Sequence, residues 1–177
     1  MRGVWRHIDG LRGRGITLAL TAAMALGACE RHGETEVRSL LTGWFDLGET
    51  LYFKSKLGCT AAVFKVSSDM VKSALVLEDN LERGIYRHRE GGLMALRVAG
   101  ANANQVANTL MTIDKGLGLA VLAANTQALD CMNDKAKATF FKGLSAPHSV
   151  LVYDTDQRAV ALLVPTEGLV LFASGDS

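Results

Sequence analysis

The sequence predicts an α+β domain, a mostly antiparallel sheet built from an N-terminal hairpin and a C-terminal three-strand meander and packed with helices. Three observations lead there. The last thirty residues contain three short apolar runs, "SVLVYD", "AVALLV" and "LVLFAS", separated by the turn signals "DTDQ" and "PTEG". Near the start, "TLYFKSK" and "CTAAVFKV" alternate in polarity on either side of Leu57-Gly58. Between these β-rich ends, apolar residues recur at helical spacing. With 177 residues, 49% hydrophobic and 21% charged, the chain has enough apolar material for one core and too much for disorder.

Taken in order, residues 34–45 suit a short helix, with Val37, Leu40, Leu41 and Trp44 on one side. In the hairpin that follows, Thr60, Ala62, Phe64 and Val66 share a face, and the other face reads as polar. A helix is then expected from Ser67, a capping residue, through Met70, Ala74, Leu77 and Leu81, to an end at Gly84. The segment "IYRHREGGLMALRV" fits either a second hairpin turning at residues 90–92 or a loop leading into a short helix. "NANQVANTLMTIDKG" combines asparagine caps with Val106, Leu110, Ile113 and Leu117, which predicts a helix. "LAVLAANTQALDC" continues as a second helical segment, and residues 133–142 form a third, stopped by Gly143 and Pro147. The central strand of the meander, Ala159 to Val164, is apolar on both faces, so something must cover each side of the sheet.

Charge is unevenly distributed. Residues 1–28 hold Arg2, Arg6, Arg12 and Arg14 against one acid, Asp9; without them the totals of 19 bases and 18 acids fall to 15 and 17. The remaining chain is nearly neutral, which argues against a nucleic-acid partner. The arginine-bearing head, the apolar run "ITLALTAAMAL" and the small residues Gly27 and Ala28 form the three parts of a secretory signal peptide. That run is about half of the roughly 20 residues a membrane span requires. Leu26-Gly27-Ala28-Cys29 resembles the lipobox of bacterial lipoprotein precursors. The resemblance covers the first thirty residues and implies removal of residues 1–28 and acylation of the Cys29 sulfur and new amino terminus. It also implies a mature chain held to membrane lipid, since two or more acyl chains anchor stably where one does not. Glu30, where aspartate typically marks inner-membrane retention, favours the outer membrane facing the periplasm. Residues 29–35 are then expected to be a short lipidated tether, and residues 36–177 a single globular domain.

Lipidating Cys29 leaves Cys59 and Cys131 as an even pair in a compartment where disulfides persist. A bridge between them is the expectation; two buried thiols packing as small hydrophobes is the alternative. Neither a CxxC pair nor a cysteine-histidine cluster occurs, so no metal or other cofactor is expected.

Catalytic templates fit poorly. "GLSAPHSVLVYDTD" gathers Ser145, His148, Ser149, Asp154 and Asp156, residue types of a serine hydrolase, but it lacks the second glycine of a GxSxG elbow. Asp154 and Asp156 begin like an EF-hand loop, yet Ala159 stands where glycine is needed and Pro165 where glutamate is; they read as turn formers. Gly116 and Gly118 do not make a nucleotide-binding GxGxxG. Arg87, His88 and Arg89 in "YRHRE" offer an anion contact, weighed against a solvated edge strand on which the two arginines share a face. Trp44, Phe45, Tyr52 and Phe53 are either core or an apolar contact surface for an envelope protein partner or the membrane. The sequence therefore favours a membrane-anchored lipoprotein whose domain binds a partner or supports an envelope assembly without catalysis. Its alternatives are an anchored hydrolase using Ser145 and His148, and a binder of small molecules between sheet and helices.

Overall fold

The computed structural model describes residues 31–176, so the signal segment and Cys29 lie outside the described residues. Six strands, β1 (Leu47–Lys56), β2 (Cys59–Val66), β3 (Leu93–Leu96), β4 (Val150–Asp154), β5 (Ala159–Val164) and β6 (Leu169–Gly175), form one antiparallel sheet. Their order is β1-β2-β6-β5-β4-β3. The predicted meander occupies the centre of this sheet, and the predicted N-terminal hairpin adds to it by pairing β2 with β6, Ala62 opposite Phe172. The helices are α1 (Glu34–Thr42), α2 (Leu81–Gly91), α3 (Ala103–Ile113), α4 (Lys115–Ala128) and α5 (Asp134–Ser145). The α+β expectation holds.

Both faces of the sheet are covered, as the two-sided apolarity of β5 requires. One face sends Ala61, Val63, Met94, Leu151, Val160, Leu162, Leu171 and Ala173 into a core shared with α2, α3, α4 and α5. The opposite face sends Ala62, Phe64, Val152, Ala161, Leu163, Val170 and Phe172 against Val37 and Leu41 of α1, with Trp44, Phe45 and Leu75. Strand alternation sorts neighbouring residues between the two cores. The hairpin accordingly lacks the polar face expected of it on β2, where Cys59, Ala61 and Val63 are buried under helices. Exposed lysines remain at positions 54 and 56 of the edge strand β1 and at Lys65 near the end of β2.

The largest departure from expectation lies at residues 67–91. No helix runs from Ser67 to Gly84. That segment is irregular because its backbone and apolar side chains are used elsewhere: Lys72 N–H donates to Trp44 O, Glu78 N–H to Ala95 O, and Leu75 is buried on the α1 side. The helix starts at Leu81 instead, where the Asn80 side chain accepts from Glu82 and Arg83 N–H. It ends where Gly92, at φ +70°, takes the left-handed conformation and donates to His88 O. Gly84 lies inside this helix. A Cβ there would meet Leu96 Cδ2 at 2.6 Å, so the glycine lets α2 approach β3 closely rather than ending anything. The segment 86–90 is consequently neither hairpin nor edge strand, and only "LMAL" becomes a strand.

The tether expectation is also corrected over 31–35. His32 is buried, with its ring edge-on to Phe172 at 6.1 Å, and α1 begins at Glu34.

Candidate functional site

The outer surface of the α3, α4 and α5 layer carries a groove of about 320 Å³. Three capped helices build it. Asn102 forms a reciprocal capping box with Gln105 at the start of α3, Asp114 accepts from Leu117 N–H at the start of α4, and Asn133 accepts from Ala136 N–H at the start of α5. The first two helices touch backbone to side: a Cβ on Gly118 would fall 2.5 Å from Met111 Cα, so only glycine permits the approach. Phe140 is buried in the groove, Met111, Leu129 and Leu144 line it, and Leu122 and Phe141 line it while remaining 48% and 53% exposed. The polar members are Asn104, Asn108, Asn125, Thr126 and Ser145, with no charged side chain among the lining residues. Thr126 spends its hydroxyl on Leu122 O, whereas Asn125 Oδ1 is buried without a hydrogen-bond partner. An apolar trough with a few neutral hydrogen-bonding groups suits a neutral amphiphile.

None of the residues singled out for chemistry forms this groove except Ser145. A signal was nonetheless present in α4, where Leu117, Val121, Ala124 and Ala128 face the core while Leu119 and Leu122 are exposed on another side. A helix apolar on two sides has two contact surfaces, and the fold fills only one of them.

Ser145 ends α5 and is exposed; His148, also exposed, sits at φ +59° in the loop beyond. Both line a shallow pocket of about 200 Å³ with Asn102 and Gln105. Among the described residues no hydrogen bond joins Ser145 to His148, and no carboxylate pairs with the histidine. Ser149 is buried, its hydroxyl donating to Gly143 O and Ala146 O at the end of α5. Asp154 accepts from Gln157 N–H at 3.1 Å, the bond of a turn former.

Arg87, His88 and Arg89 lie on α2, where consecutive residues point in different directions. Arg87 reaches Glu78 at 3.4 Å and Arg89 reaches Asp114 at 3.0 Å, so each arginine is paired within the domain. His88 Nε2 bonds Thr155 Oγ1 at 2.6 Å, and its ring lies 5.7 Å from that of Tyr153. Burial lowers the His88 pKa, only partly opposed by the charge of Asp114. The Asp114 carboxyl is itself held low, first by the Leu117 N–H and then by Arg89. The three residues do not converge on one anion.

Cys59 and Cys131 are joined in a disulfide, their Cα atoms 5.9 Å apart. Beside it, Tyr52 donates to Cys131 O and accepts from Asn133 N–H, tying β1 to the start of α5. Trp44 and Phe45 are buried, and Phe53 packs on the same core, so the aromatic residues near the N-terminus supply packing. Among the described residues no cluster of histidine, cysteine or carboxylate is arranged to hold a metal ion, and no helix is long and apolar enough to cross a membrane. Comparison with protein-family models, curated proteins and solved structures found no match.

Proposed function

We propose that this chain is a lipid-anchored protein of the bacterial envelope, joined to membrane lipid through Cys29, whose domain binds a neutral amphiphile in the α3–α4–α5 groove without catalysis. The groove carries the reading. Its volume is at the lower end of the range for ligand sites, its walls are apolar and uncharged, and the Asn125 amide offers an unused acceptor. The anchor rests on the lipobox resemblance around Leu26 to Cys29. A hydrolase would need a serine hydrogen-bonded to a histidine and a group orienting that histidine; among the described residues Ser145 and His148 share a pocket but no hydrogen bond, and no carboxylate pairs with His148.

One experiment tests both halves. The acylated chain and its Cys29→Ala variant are fractionated and titrated with N-phenyl-1-naphthylamine, a neutral apolar fluorophore. Both should bind the probe saturably, and only the variant should leave the membrane fraction. Leu122→Asp, a change at a half-exposed position, should weaken probe binding by about tenfold or more, equivalent to about 1.4 kcal/mol. Binding indifferent to Leu122→Asp overturns the groove, and unchanged membrane partition of Cys29→Ala overturns the anchor.

A further inference from the structure

Arg31 is the first described residue, and it is clamped. Its backbone N–H donates to Lys56 O at 3.1 Å, its guanidinium donates to Gln157 O at 3.2 Å, and it forms an ion pair with Asp176. Next to it, His32 N–H donates to Ser55 Oγ. The partners come from the end of β1, the β4–β5 turn and the residue after β6, which all lie at one end of the sheet. Asp176 is fixed there in turn by its N–H bond to Gly58 O. Only two residue steps separate Cys29 from Arg31, a span of about 7 Å at most. Next in the chain after Lys56, whose carbonyl holds Arg31, is Leu57, at the tip of the β1–β2 turn and 72% exposed, more than any other large hydrophobic among the described residues. Lys56 adjoins it, exposed but with its Nζ donating to Asp130 O at 3.0 Å.

We propose that the domain is docked on the bilayer by this end, with the β1–β2 turn seated in the headgroup layer and Leu57 as its apolar contact; the proposal rests on lipidation of Cys29. A clamp at residue 31 removes the slack that a seven-residue tether would give. The anchored chain therefore holds the domain in one orientation, with the Leu57 end down and the β5–β6 connection at Thr166 away from the membrane.

The test uses the full chain, processed in a bacterial envelope and reconstituted in phosphatidylethanolamine–phosphatidylglycerol vesicles with brominated acyl chains. Tryptophan emission is read in Leu57→Trp and Thr166→Trp, both surface substitutions, against the unsubstituted protein. Leu57→Trp should lose emission and shift to the blue; Thr166→Trp should match the background. A flexible glycine-serine insertion between Glu30 and Arg31 should restore the Leu57→Trp emission. If the mass of the N-terminal peptide shows acylation but Leu57→Trp is not quenched, or quenching survives the insertion, the docking proposal is overturned alone. If the peptide carries no acyl chains, the lipoprotein reading falls with it.

Discussion

At the scale of single residues, His88 shows how context decides chemistry. In the sequence it belongs to a basic cluster fit for an anion; in the fold its neighbours Arg87 and Arg89 are occupied by Glu78 and Asp114, and the imidazole packs beside Tyr153 with Nε2 on Thr155. Burial disfavours its cation, so the folded pKa lies below the unfolded value of about 6.5. The sign follows from proton counting: as pH falls through the unfolded value, the unfolded chain takes up a proton that the folded one resists, and stability is lost until the folded pKa is passed. His88→Gln should therefore reduce the loss of stability between about pH 7.5 and 5.5, read from urea midpoints at the two pH values. An equal loss in both proteins would assign the slope to other groups. What the sequence could not supply was the identity of the arginines' partners, because Glu78 and Asp114 come from outside the motif and are brought to it only by the fold.

At the scale of elements, helices with asparagine or aspartate caps and regular spacing were legible, and so were strands bounded by tight turns. α3, α5 and the meander were readable for this reason. The segment before α2 reads as a helix because Met70, Ala74, Leu77 and Leu81 happen to fall at helical spacing, while burial of Leu75 and the Glu78–Ala95 backbone bond favour an irregular path. Tertiary demand overrides a weak local periodicity. The cap that does start α2 is Asn80, whose oxygen lies 2.8 Å from Glu82 N and 3.3 Å from Arg83 N. Asn80→Ala should cost about 1 kcal/mol, and Asn80→Asp should restore most of it, both measured by urea denaturation. A neutral Asn80→Ala would mean that α2 is held by Ile85 and the Leu96 contact at Gly84 rather than by its start.

At the scale of the whole molecule, the sequence foretold that the sheet must be covered twice but not by what. The groove is not legible as a unit in the sequence because it lies on surfaces of α3, α4 and α5 that become neighbours only after Gly118 lets two of those helices meet. The two layers are also crosslinked, since the Cys59–Cys131 disulfide joins the start of β2 to the short turn between α4 and α5. With the cysteines separated by 72 positions in sequence, the chain-entropy model gives the bridge about 4 kcal/mol of stabilisation through the unfolded state. Replacing both cysteines by alanine should lower the unfolding free energy by about that amount and abolish its dependence on reductant. Both positions are buried, so some of any loss comes from packing, and reduction of the unsubstituted protein isolates the crosslink from the void. The bridge and the Arg31 clamp lie at the same end of the sheet, where Lys56 Nζ also donates to Asp130 O beside Cys131. Reduction should therefore raise hydrogen exchange first at residues 129–133 and the β1–β2 turn, ahead of the central strands β5 and β6. Uniform exchange across the sheet after reduction would show instead that the crosslink acts only on the unfolded chain.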